Sequence, residues 1–295
     1  MATDIRWRVS LSASCLHAAA CRAAGLHAAD AVLAASIDGA SDALISELMG
    51  SHWPVDDVLR LMTSLAADFE NNRELVARTL AKLRLSAPEA VANRVSGAVA
   101  DVEAALRRHA PEIVDELAAR SRPLREQWDA RGPGMLVELA RLTDPAAVPD
   151  QAEVVLAAPY AGGHGWAHAG QNRVTFEAVL VNPHPALPET VRLAWLVGQL
   201  ASDLPRLGDA LPAGRQARAF ELAMLAPALA AGEIVELTRC DEAEIAHALD
   251  AWRVRGDLPA DAAARIWAWW NAWLDHPTSW PVAVAALDGL LAATP

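Results

Sequence analysis

Apolar positions along most of the chain recur at helical spacing. Val58, Leu61, Met62, Leu65 and Phe69 follow steps of three and four residues. Leu75, Val76, Thr79, Leu80 and Leu83 do the same beyond an Asn71-Asn72 interruption. Residues 10–50 are Ala-rich and predict one or two helices, with a break near Asp38-Gly39-Ala40-Ser41. Pro54, Asp56 and Asp57 mark one helix start, and Ser86-Ala87-Pro88-Glu89 has the form of a capping box with proline in the first turn. That helix is expected to run to about Arg108, with another opening at Pro111. The charged stretch 120–131 carries Pro123 and reads as a surface helix or linker, with Arg120, Arg122, Arg125 and Arg131 on a solvated face. Gly132-Pro133-Gly134 reads as a hard break. The chain therefore divides into an all-helical region, 1–130, and a second region, 131–295.

The pattern changes in the second region. Residues 153–158 and 173–181 are rich in β-branched residues and predict strands. In the second of these, Val174, Phe176 and Ala178 fall on one face and Thr175, Glu177 and Val179 on the other. The dozen or so residues between the strands suggest an antiparallel pair with a long connection. Asn182-Pro183-His184-Pro185 stops the second strand, and Pro188-Glu189 opens a helix over 188–204 that is apolar on most sides and so buried. Further helices follow. One spans 218–231 and carries Pro227, one carries Ile245, Leu249 and Trp252, one is rich in tryptophan from Ile266 to Trp273, and the last starts at Trp280-Pro281. The tryptophan helix has apolar residues on two faces, which predicts burial between neighbours. The expected fold class is mainly α with a small antiparallel β element, an α+β arrangement centred on strand 173–181 and helix 188–204.

Within that helix, Leu193-Ala194-Trp195-Leu196-Val197-Gly198-Gln199-Leu200 resembles the active helix of the HExxH zinc metallopeptidases, the zincins, which in many members reads L-A-H-E-L-G-H-L. The resemblance covers a strand and a helix and implies a zincin-like strand–helix core. The frame is present, but the chemistry is missing. Trp195 and Gln199 stand where the two zinc ligands would be, and Leu196 stands where the acid/base would be. Indole nitrogen only donates, an amide oxygen lies outside the usual zinc ligand set, and leucine moves no proton. The resemblance thus implies a degenerate domain, lacking its metal and kept for binding or scaffolding.

Two other constellations carry candidate chemistry. The loop 159–170 contains four glycines with His164 and His168. Its amides can form an anion nest, its histidines can contact a ligand, and His184 is a conceivable third metal ligand; the plain alternative is a flexible loop with exposed histidines. Glu177 and Arg192 are both expected to be partly buried; a Glu177–Arg192 pair is one structural solution, and the functional alternative is a polar remnant of a substrate cleft that makes both candidate ligand-binding residues. No P-loop, GxSxG elbow, Ser-His-Asp order or Cys-centred nucleophile signature is visible.

Composition narrows the partners. Apolar residues make up 53% of the 295 positions, which supplies a sizeable core, and 11 tryptophans carry most of the aromatic content. A formal net charge of −12 disfavours nucleic acid and anionic lipid. The three cysteines have no ligand spacing and argue against a disulfide framework, which fits a cytoplasmic protein. The first residues lack a continuous apolar stretch, and no segment has the apolar length of a membrane span. No cofactor or metal is assigned, and activity as an enzyme is not favoured. The expectation is a non-catalytic domain with an unidentified protein or small-molecule partner. An enzyme or a small-molecule or anion binder using loop 162–170, and a helical interaction protein unrelated to zincins, are the alternatives.

Overall fold

A computed structural model describes residues 3–178, 180, 184–203, 205 and 210–292. A four-stranded mixed sheet stands between two groups of helices, with strand order β1-β2-β4-β3. The strands are β1 (Asp4–Val9), β2 (Gln151–Ala157), β3 (Gly165–His168) and β4 (Arg173–Glu177). Seven helices precede β2: α1 (Leu11–Ala23), α2 (Ala31–Gly50), α3 (Val55–Leu65), α4 (Asn72–Lys82), α5 (Glu89–His109), α6 (Ile113–Arg120) and α7 (Arg122–Leu142). After β4 come α8 (Glu189–Val197), α9 (Ala213–Ala223), α10 (Leu225–Ile234), α11 (Glu242–Ala251), α12 (Ala262–Asp275) and α13 (Trp280–Ala292). The fold is mainly helical with a small sheet, as the apolar periodicity predicts.

Strand alternation explains how one sheet serves two cores. Val154, Leu156, Val174 and Phe176 face a core built with α7, α8 and the C-terminal helices. Val155 and Trp166 face a second core built from α1 to α5. Arg173, Thr175 and Glu177 alternate with Val174 and Phe176 along β4, and all five residues of the strand are buried. The division at 130/131 lies inside α7, and β1 pairs with β2 across it, so the two cores are separated by the sheet.

Several local expectations are corrected. Strands β2 and β4 pair in parallel. The connection between them contains β3, which pairs antiparallel with β4, so the chain reverses twice before β4. Asn172 makes the second reversal in the left-handed region at φ 47°, which asparagine tolerates. The break expected near 38–41 lies instead at 24–30, where Asp30 caps α2 by accepting from the amides of Val32 and Leu33. Pro88 begins α5 with no side-chain cap, so Ser86 does not act as one. Gly132-Pro133-Gly134 is helical within α7. Trp128, Gly132, Met135, Leu136 and Leu139 form one buried stripe through it, and the core overrides the local breaker signal. A Cβ at Gly132 would meet the Trp128 ring at 2.4 Å, so glycine admits that indole.

Strand β1 was not read from the sequence, although Ile5, Trp7 and Val9 alternate with Asp4, Arg6 and Arg8. The expected strand 173–181 is observed to Glu177; Val179, Val181, Asn182 and Pro183 lie outside the described residues. The expected helix 188–204 closes at Val197. Beyond it Gln199, Leu200 and Ser202 donate to carbonyls three residues back, a tighter turn, and Leu204 lies outside the described residues. Gly198 lets α8 approach its neighbours, because a Cβ there would meet Met224 at 2.4 Å and Leu139 at 2.8 Å.

Candidate functional site

The candidate residues meet where β4, α1, the glycine loop and α8 come together. Glu177 ends β4 on the face turned toward α1 and is fully buried. Its Oε1 accepts from Ala161 N at 2.7 Å and from His17 Nε2 at 3.0 Å. Its Oε2 accepts from Gly163 N at 2.7 Å and from His164 N at 3.0 Å. Every acceptor position of the carboxylate is taken. Burial pushes its pKa up, but the hydrogen bond and charge of His17, with the Gly163 amide and His164, outweigh this and hold it at about 2. The loop does form an anion nest, and the anion in it is the chain's own Glu177.

This arrangement explains the glycines. Gly162 and Gly163 adopt φ of 77° and 133°, which side chains rarely accept. A Cβ on Gly163 would meet the Ala251 carbonyl oxygen at 2.4 Å. The loop is tied down further by Arg253 Nε, which donates to Ala161 O at 3.0 Å, and by Ala29 N, which donates to Tyr160 O at 2.7 Å.

His164 and His168 are buried, which corrects the picture of histidines exposed on a flexible loop. Burial first, then nearby His17, pushes His164 down to about 3. Burial first, then the charges of Arg60 and Arg173, pushes His168 to about 3 as well. His168 Nε2 shares a 2.9 Å hydrogen bond with Thr175 Oγ1. His184 is elsewhere, with its ring 4.7 Å from that of His247, so the three histidines do not converge on one metal position.

Arg192 on α8 is buried, and its guanidinium lies 4.0 Å from the centre of the Phe176 ring. It donates to His164 O at 3.0 Å, to Glu189 Oε1 at 3.3 Å and to the backbone oxygen of Glu177. The expected Glu177–Arg192 pair is therefore indirect. The two residues adjoin, but the guanidinium takes backbone oxygens and Glu189, because the amides and His17 already occupy the carboxylate.

Of the three positions compared with the zincin motif, Trp195 and Leu196 lie on α8 and Gln199 lies in the turn just beyond it. Trp195 has no exposure, and its ring stacks on Trp252 with centroids 5.0 Å apart and planes at 28°. Its Nε1 donates to Glu221 O at 2.8 Å. Leu196 is buried beside β3, close enough that a Cβ on Gly165 would meet its Cδ1 at 2.7 Å. Gln199 Nε2 donates back to Trp195 O at 3.1 Å. Beyond Gln199 a cavity of about 180 Å³ opens between β3 and α9, lined by Arg60, Trp166, Ala167, Ser202, Arg218 and Glu221.

His17 and Cys21, which from the sequence read as a bland surface or semi-buried histidine and an inert packing thiol, are both fully buried here. They sit four residues apart on α1, a spacing that gives them a common face. Glu177 is 160 positions away from His17, so nothing local signals the meeting. Cys21 Sγ lies 3.4 Å from His17 Nε2, and burial first, then the Glu177 charge, pushes the thiol well above its ordinary value. A Cys-His-Glu nucleophile mechanism does not fit, since the thiol and the carboxylate meet the same imidazole nitrogen. A relay uses opposite nitrogens of the ring. Among the described residues, no helix is long and apolar enough to cross a membrane. In comparisons with protein-family models, curated proteins and solved structures, the chain matches none.

Proposed function

We propose that the chain is a non-catalytic domain of metallopeptidase-like type that serves binding or scaffolding. The observation that carries this reading is the state of Trp195. On the face where a zincin would hold its metal stands a fully buried indole, stacked on Trp252 and hydrogen-bonded to Glu221 O. The chain order also supports it. Helix α7, strands β2, β3 and β4 and helix α8 follow one another, with α8 against β3 and β4. The binding surface on this reading is the 180 Å³ cavity beside β3, whose lining carries Arg60, Arg218 and Glu221 next to the Trp166 ring. The test is incubation of the purified chain with an unfolded protein substrate and added zinc. No cleavage is expected. Zinc-dependent cleavage that disappears in Gln199→Ala overturns the proposal.

A second reading is favoured by a different cavity. A space of about 560 Å³ lies against Gly162, with Leu33, Leu106 and Ile113 among its apolar walls and His109, Arg120 and Arg253 among its polar ones. That size suits a small amphiphilic molecule. On this reading the glycine loop would form the wall of a ligand pocket, with its amides still held by Glu177.

A further inference from the structure

We propose that His17, Cys21 and Glu177 form a closed binding site for one divalent d-block cation of the zinc class, with a structural role. The geometry points to it first. His17 and Cys21 stand on one face of α1 and Glu177 reaches them from β4. One ligand atom from each lies within 4.8 Å of the others, with Nε2–Oε1 at 3.0 Å and Nε2–Sγ at 3.4 Å. Tetrahedral bonds of about 2.0–2.3 Å place neighbouring donors roughly 3.3–3.8 Å apart, so small side-chain shifts open the cluster around an ion.

The donor set selects the metal. Imidazole, thiolate and carboxylate together suit zinc or cobalt and not the oxygen-seeking magnesium or calcium. Charge closes as well. A dication is balanced by the Cys21 thiolate and the Glu177 carboxylate, while His17 ligates as neutral imidazole with its proton on Nδ1. The Cys21 proton leaves to solvent on binding. Glu177 is already oriented by three backbone amides, the kind of outer contact that fixes a metal-binding carboxylate. The fourth position falls to His164, which must shift toward the cluster, because a water there would leave the open position of a catalytic site. His164 stacks beside His17 with ring centroids 5.8 Å apart, and its buried Nε2 has no hydrogen-bond partner among the described residues. All three ligand side chains are buried, which matches a structural site and not a catalytic one.

The site is independent of α8, which the proposed function reads as holding no metal, and one experiment separates the two. The full chain is expressed in cobalt-supplemented minimal medium, so that metal is present while it folds, then washed with chelator and analysed. One cobalt per chain and a thiolate-to-cobalt charge-transfer band in the near ultraviolet are expected. Cys21→Ser should abolish the band, while Cys15→Ser, on the same helix, and Gln199→Ala should keep it. The partly exposed His184–Glu244–His247 group contains no sulfur, so metal held there gives no such band. Folded wild-type protein that lacks the band overturns the proposal, whether or not Cys21→Ser folds. So does a band that survives Cys21→Ser. Metal lost on Gln199→Ala alone would place the ion at α8 and overturn the non-catalytic reading instead.

Discussion

Replacing Trp195 by alanine tests whether α8 carries a filled position or an open face. The indole has no exposure, stacks on Trp252 at 5.0 Å and donates to Glu221 O at 2.8 Å. An aromatic side chain of this kind buries roughly 150–250 Å². At about 25 cal/mol per Å² that is worth about 4–6 kcal/mol. The figure is an upper one, because the unfolded chain already hides part of that surface. Truncation also leaves a cavity and takes the indole donor from a part-buried carbonyl, which adds to the loss. A net cost of about 3–5 kcal/mol follows, the range measured for buried aromatic truncations. Urea denaturation followed by far-ultraviolet circular dichroism reads it. With a slope of roughly 3 kcal/mol per molar, the midpoint should fall by about 1 M or more. Trp195→Phe keeps most of the packing and loses the Nε1 donor, so roughly 1–2 kcal/mol is expected. A loss below about 1 kcal/mol for Trp195→Ala refutes the plugged position and indicates an open surface at this helix.

Acid should destabilise the protein from about pH 6.5 downward. His164 and His168 are held near 3 in the folded chain against an ordinary 6.5, so the unfolded chain binds more protons between those values. Stability is then fully present above pH 6.5 and is lost as pH falls, by up to about 1.4 kcal/mol per pH unit for each histidine. Glu177, held at about 2 against an ordinary 4.5, extends the loss below pH 4.5. Urea midpoints measured from pH 8 to 4 check this, and a flat profile between pH 6.5 and 5 would show the histidines to be free in solution. Gly163→Ala should cost about 2 kcal/mol or more, because φ is 133° and the new Cβ meets Ala251 O at 2.4 Å. Thermal unfolding reads that change, and a neutral result would mean the loop does not close on Glu177 in this way.

The sequence by itself determined what depends on near neighbours. Helical spacing located most of α3 to α5 and the C-terminal helices, and the alternation of Val174 and Phe176 with Thr175 and Glu177 correctly assigned the two faces of β4. The residues at 195, 196 and 199 excluded HExxH chemistry on α8 by their own chemical nature. The glycines of the loop allowed a nest only as one reading beside a flexible exposed loop. Tertiary structure alone decided what fills it. A carboxylate 16 positions from Ala161 in sequence and 160 from His17 joins them only after β4 is laid against α1. Strand direction was equally hidden, because it depends on the number of reversals between β2 and β4, and β3 adds one that its four residues hardly signal. The burial of His164 and His168 followed from the same event: glycine and histidine predict a mobile exposed loop only while no partner for their backbone is in view. Once Glu177 takes those amides, the loop becomes core, and its histidines go with it.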